Sequence, residues 1–127
     1  YNWKIKLNET GKIPAFCNVL PELKHNEMTG FDITESTRKL SQNFYIILLK
    51  DPTDDPRVIA RMEILARLYK NRGLPVVEAS LRGNQIFSKM FSSLILADWT
   101  AYYLARHYGV DPEQVPMVEE FKKLIAM

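Results

Sequence analysis

Between Pro21 and Phe31 the chain reads Pro-Glu-Leu-Lys-His-Asn-Glu-Met-Thr-Gly-Phe, with Glu22, Lys24, His25, Asn26 and Glu27 packed closely together. This run follows directly on a short apolar segment, Phe16 to Leu20. Histidine is the side chain whose unperturbed pKa lies near neutrality, so an imidazole set between carboxylates is suited to proton transfer. The same residues also suit a solvated helix start or turn, and spacing alone leans to that plainer role. Two further carboxylates stand out nearby. Glu9, in the turn before Pro14, and Glu22 both lack a lysine four residues away that would make them ordinary helix-surface pairs.

Other constellations are weaker. The chain contains no P-loop, no Gly-x-Gly-x-x-Gly fingerprint and no Gly-x-Ser-x-Gly elbow. Its only histidines, His25 and His107, fall in different contexts, so no metal site is expected. His107, at the end of a long helical pattern, is accounted for by its interaction with the helix dipole. Asp98, inside an apolar helix, is expected to need a hydrogen-bonding partner, a backbone group or an arginine, rather than to act in catalysis. Trp99, Tyr102 and Tyr103 read as core or interface packing before a sugar-stacking platform.

The elements that would carry these residues follow from the pattern of the chain. With 127 residues, 46% hydrophobic and 25% charged, it fits one globular domain with a modest core. A net charge of +2 without a basic cluster argues against nucleic-acid binding. The single cysteine, Cys17, excludes an internal disulfide, suits a reducing cytosol and reads as a small buried apolar residue. No signal peptide and no membrane-length apolar run are visible, so a soluble, cytoplasmic protein with no membrane partner is expected. The chain opens on Tyr1 without an initiator methionine, which fits a piece of a longer protein.

Tyr1–Leu7 alternates apolar and polar residues weakly, and the end of a helix fits it equally well. Asn8–Lys12 reads as a turn and Pro14 as the first turn of another helix. Asp32–Asn43 is expected to be loop. The run Phe44–Leu49 predicts a strand apolar on both faces, as in parallel sheets. Asp55-Pro56 is an N-cap followed by an N1 proline, and Val58, Met62, Leu65, Ala66 and Tyr69 share a helical stripe that Gly73 closes. Val76–Leu81 predicts a second strand, which makes a parallel βαβ unit. Asn84–Tyr108 predicts a long helix, mostly interior or covered at an interface. Met117–Ile125 predicts a short helix with Phe121 and Leu124 as docking residues.

The segments Leu7-Asn8-Glu9, Lys12-Ile13-Pro14-Ala15 and Pro21-Glu22-Leu23-Lys24-His25-Asn26-Glu27 resemble the C-terminal half of the bifunctional phosphoglucose/phosphomannose isomerases. The likeness continues through Phe44–Leu49, Ala97–Leu104 and the ending Gly109-Val110-Asp111-Pro112 … Pro116–Lys122. That family belongs to the sugar isomerase (SIS) superfamily. The resemblance implies a doubly wound, three-layer α/β sandwich and aldose–ketose isomerisation of sugar phosphates through a cis-enediolate. It implies no cofactor and no metal, a sugar phosphate as substrate, and a homodimer. Glu9 then matches the general base that moves a proton between C1 and C2. His25 matches the ring-opening histidine, which comes from the partner subunit in dimers of the family. Lys122, with Lys123 adjacent, matches a C-terminal lysine that assists ring opening or meets the developing oxyanion. The family's phosphate-binding loop and an active-site arginine belong to an N-terminal domain that these residues do not include, so the 127 residues alone are expected to be inactive. Two rival readings remain open at this stage: a sugar-phosphate-binding module without turnover, and a dimerisation domain built on the long aromatic helix.

Overall fold

The computed structural model describes residues 1–126. In chain order the elements are helix α1 (Asn2–Glu9), a 3₁₀ turn (Glu22–His25), one-turn helices α2 (Glu27–Gly30) and α3 (Arg38–Ser41), strand β1 (Ile46–Lys50), helix α4 (Pro56–Asn71), strand β2 (Val76–Ser80), and helices α5 (Ile86–His107) and α6 (Pro116–Ile125). They fall into two compact units, one formed by Asn18–Lys89 and one by Tyr1–Cys17 with the chain from Met90 onward.

In the first of these, β1 and β2 pair in parallel, in register from Ile46 opposite Val76 to Lys50 opposite Ser80. Parallel neighbours require a crossover, and α4 supplies it. The helix starts where the sequence says it must: Asp55 Oδ1 accepts from Arg57 N–H at 2.8 Å, and Pro56 occupies the first helical position. It ends at Gly73, whose φ of 80° lets Gly73 N–H reach Lys70 O and Leu74 N–H reach Tyr69 O, at 3.0 and 3.1 Å. Leu74 thereby joins Tyr69, Ala66, Leu65 and Leu48 in the core, and Leu23 of the 3₁₀ turn completes it. Lys50 and Lys70 both bond Glu78, at 3.1 and 2.9 Å, along the margin of the same face.

In the second unit α1 is pinned to α5 at two levels. Trp3 Nε1 donates to Ser93 Oγ at 3.0 Å, and Lys6 Nζ meets Asp98 Oδ1 at 2.7 Å. From Met90 onward the buried residues of α5 are Ala97, Ala101 and Ala105, four residues apart and so on one stripe of the helix.

The βαβ unit and the helices α5 and α6 lie where the pattern predicts, with boundaries shifted by a residue or two. Several expectations are corrected. Of the two readings of Tyr1–Leu7 the helical one is formed, and α1 runs on through Asn8 and Glu9 of the expected turn. Pro14 opens no helix, and the chain from Ile13 to Val19 is irregular. Residues 38–41 of the expected loop form α3. Phe44 and Tyr45 precede β1 and are exposed. Cys17 is exposed. Asp98 is not at depth, since half of its side chain is accessible, and its partner is a lysine. Most large apolar side chains of α5 are exposed on this chain, as are Phe121 and Leu124 of α6. For α5 and α6 the reason is that a helical apolar stripe marks a face to be covered, while the covering groups need not lie within the same stretch of chain.

Candidate functional site

Glu9 is the last residue of α1 and its carboxylate is exposed. A negative side chain there runs against the helix dipole. The backbone around it is tightly tied. Thr10 and Gly11 N–H both reach Lys6 O at 2.9 Å, Lys12 takes up a left-handed φ of 58°, and Lys12 Nζ returns to Glu9 O at 2.6 Å. A lysine bonding a terminal helical carbonyl satisfies a group the helix leaves unpaired. Asn8, next to Glu9, bonds both the N–H and the carbonyl of Ala15, at 3.1 and 3.0 Å.

His25 ends the 3₁₀ turn and is exposed. Leu23, buried in the core two residues earlier, anchors one side of it. Phe31, with its ring edge-on to Phe44 and Tyr69 at 5.4 and 5.5 Å, anchors the other. The neighbouring carboxylates are engaged by amides: Glu22 Oε1 accepts from Asn26 Nδ2 at 3.1 Å, and Glu27 Oε2 accepts from Asn18 Nδ2 at 3.3 Å. Asn26 also caps α2 through its side-chain oxygen. Among the described residues no hydrogen bond or ion pair reaches the His25 ring, which stays available to an incoming group.

Lys122 lies on α6, exposed, with Nζ 2.9 Å from Glu119 Oε1 one turn earlier. Lys123 follows it on the same helix. Among the described residues no hydrogen bond or ion pair joins Glu9 and Lys122. His25 belongs to the other compact unit.

Three pairings are not specified by the sequence reading. The first is the Asn8 bonding to Ala15. The second is the Lys6–Asp98 pair, which raises the Lys6 ammonium pKa above its ordinary value mainly through that hydrogen bond. The third is Lys89, buried at the start of α5, whose Nζ donates to Asp51 Oδ1 and Oδ2 at 2.7 and 3.0 Å and to Thr53 Oγ1. The Lys89 bond, with the Thr53 backbone and hydroxyl, holds the Asp51 carboxyl down at about 2. A cavity of about 140 Å³ lies between α2 and the end of α4, lined by Met28, Thr29, Phe31, Asp32, Leu68, Tyr69 and Arg72. Burial pushes the Tyr69 hydroxyl up to about 12, with Glu27 adding to the effect. None of Glu9, His25 and Lys122 lines that cavity. Among the described residues no group of histidine, cysteine, aspartate and glutamate is placed to hold a metal ion, and no helix is long and apolar enough to cross a membrane.

A parallel strand–helix–strand core together with the further helices of the chain places the protein in the mixed α/β class. The chain belongs to the family described as the bacterial phospho-glucose isomerase C-terminal SIS domain, whose model matches residues 1–125. It is 36% identical over 124 residues to a bifunctional phosphoglucose/phosphomannose isomerase of Caldicellulosiruptor bescii, covering 98% of this chain and 36% of that protein. Proteins of the same name from Aquifex aeolicus and Thermoplasma volcanium are 33% and 32% identical, over 95% and 99% of this chain and 37% and 38% of theirs. The chain thus spans little more than a third of the length of these relatives. No solved structure matches it.

Proposed function

We propose that residues 1–127 are the C-terminal SIS-type domain of a longer, two-domain isomerase that interconverts glucose 6-phosphate and mannose 6-phosphate with fructose 6-phosphate. The observation that carries this reading is the alignment of nearly the whole chain with relatives all named for both activities. The two strands seen here are then part of a larger doubly wound parallel sheet of the SIS kind, and the working enzyme is a cytoplasmic homodimer.

The chemistry asks for three roles. Ring opening needs one group that takes the hydroxyl proton and gives a proton to the ring oxygen, and His25 supplies it, from the partner subunit if the dimer follows the family. The open chain then loses a proton from C2 to the Glu9 carboxylate, and the electron pair left behind forms the cis-enediolate. The O2 hydroxyl proton passes to O1, Glu9 returns its proton to C1 and the ketose results; the reverse path starts at C1. Negative charge on the enediolate oxygens is met by Lys122. C1 is reduced as C2 is oxidised, so there is no net redox change and no metal or organic cofactor is called for. The phosphate is held by the N-terminal domain, and the binding energy at that remote group orients the reacting carbons.

The test is Glu9→Gln in the full-length protein, assayed with fructose 6-phosphate for both aldose products. Loss of several orders of magnitude in kcat for both, with substrate still bound, is expected of a shared base. Near-normal turnover would put the base elsewhere and leave this domain without a part in the proton transfer. The isolated 127-residue chain is expected to show no turnover, and full activity from it would contradict the two-domain reading.

A further inference from the structure

Glu9 is the last residue of α1, and a base there must be held firmly to reach one carbon and then the next. The neighbouring asparagine ties this end of the helix to the chain beyond the turn. Asn8 Oδ1 accepts from Ala15 N–H at 3.1 Å, while Asn8 Nδ2 donates to Ala15 O at 3.0 Å and to Lys4 O at 2.9 Å. One side-chain amide thus satisfies both backbone groups of a residue beyond the turn and a carbonyl one helical turn back. The result closes the chain between residues 8 and 15 into a loop, inside which Lys12 bonds Glu9 O.

The requirement is chemically narrow. The side chain must present a donor and an acceptor together at the reach of asparagine. Aspartate has the shape and can accept from Ala15 N–H, but its carboxylate oxygen would face two carbonyls. Serine is too short and alanine offers nothing. We propose that Asn8 is a positioning residue: its amide latch onto Ala15 fixes the backbone from which Glu9 projects. The assignment rests on Glu9 being the general base. It predicts that Asn8 matters to the proton transfer far more than to folding, because bonds made at an exposed site contribute modestly to stability, whereas a displacement of about 1 Å at a reacting group costs on the order of 100-fold in rate.

The test uses the full-length isomerase carrying Asn8→Asp, Asn8→Ala or Glu9→Gln. The measurements are thermal melting, steady-state kinetics with glucose 6-phosphate, and the partition of a deuterium label at C2 between C1 of the product and solvent. For both Asn8 variants kcat is expected to fall about 10- to 100-fold, with KM nearly unchanged and the fold intact at the assay temperature. The label partition is expected to shift by about twofold or more, since a displaced base holds its proton differently. A smaller fraction of active protein would lower kcat but leave the partition alone, so a lowered kcat with unchanged partition overturns the assignment. So does parental kcat in the variants. If Asn8→Asp does not fold, Asn8→Ala decides; if neither folds, Asn8 is a structural residue and the assignment is lost. Inactive Glu9→Gln beside parental Asn8 variants removes the positioning role alone. Active Glu9→Gln removes the base and the positioning role with it.

Discussion

Leu65 and Ile64 are neighbours on α4, yet Leu65 is 3% exposed and Ile64 is 48% exposed. One residue of an α-helix turns the side chain by about 100°, so this pair tests which face of α4 meets the sheet. Leu65 packs with Leu23, Leu48, Ala66, Tyr69 and Leu74. Truncation to alanine deletes three buried carbons and leaves space that the strands on one side and the 3₁₀ turn on the other cannot readily fill. The expected cost is about 3 kcal/mol, within the roughly 2–5 kcal/mol range of such changes. For a domain of this size that corresponds to a fall in Tm on the order of 10 °C. Ile64→Ala loses only part-buried surface and gains a better helix former, so its expected cost is below about 0.5 kcal/mol. Urea unfolding followed by far-UV circular dichroism gives both numbers, and the slope with denaturant should be the same for the two variants. Equal costs, or a larger cost for Ile64→Ala, would mean that α4 is rotated and that Leu23, with the histidine segment it anchors, is not seated as described. Trp3 and Trp99 both lie in the other compact unit, so tryptophan fluorescence recorded alongside shows whether the two units unfold together.

Two further predictions concern the charge pairs. Lys89→Met leaves Asp51 without its buried partner and should lower Tm by roughly 5 °C or more, because a part-buried carboxylate then stands unpaired. Asp51 is depressed from 3.8 to about 2. Its contribution is therefore present above about pH 4 and lost as pH falls through about 2, and this acid loss should be blunted in Lys89→Met; an unchanged acid profile would show that the pair is not the source. The Lys6–Asp98 pair is partly exposed, with 38% and 51% of the two side chains accessible. Its coupling in a double-mutant cycle of Lys6→Gln and Asp98→Asn should therefore stay below about 1 kcal/mol and shrink in high salt. Because the Lys6 pKa is raised, that contribution is full below its ordinary 10.5 and disappears as pH rises beyond it. A coupling well above 2 kcal/mol would contradict the exposed geometry.

What the sequence discloses is what short-range chemistry writes into it. Asp55-Pro56 and Gly73 mark the ends of α4 because capping and left-handed termination are decided within a few residues. The β-branched runs at Ile46 and Val76 announce parallel strands because the connection between them has helical period. Glu9, His25 and Lys122 could be singled out because the resemblance lies in local motifs, and each now has a described backbone setting. The pairings were hidden for the converse reason. Asp98 finds Lys6 across 92 residues of chain, and Lys89 finds Asp51 across 38, and no periodicity encodes which distant partner a charge will choose. Asp98 looked buried because it sits among apolar residues of α5, yet a helix that is apolar nearly all round need not have every face covered by its own chain. The exposed Trp99, Tyr102 and Tyr103, packed edge-on or stacked on one another at 5.6 to 5.9 Å, show this directly. Asn8 is the instructive intermediate. It was visible as a letter in the Leu-Asn-Glu motif, but its role depends on the backbone of Ala15 returning within reach of its amide, a fact of three-dimensional closure that residue type alone does not carry. A motif can therefore carry a candidate base and pass over its neighbour, whose hydrogen bonds alone tell how the backbone beside it is tied.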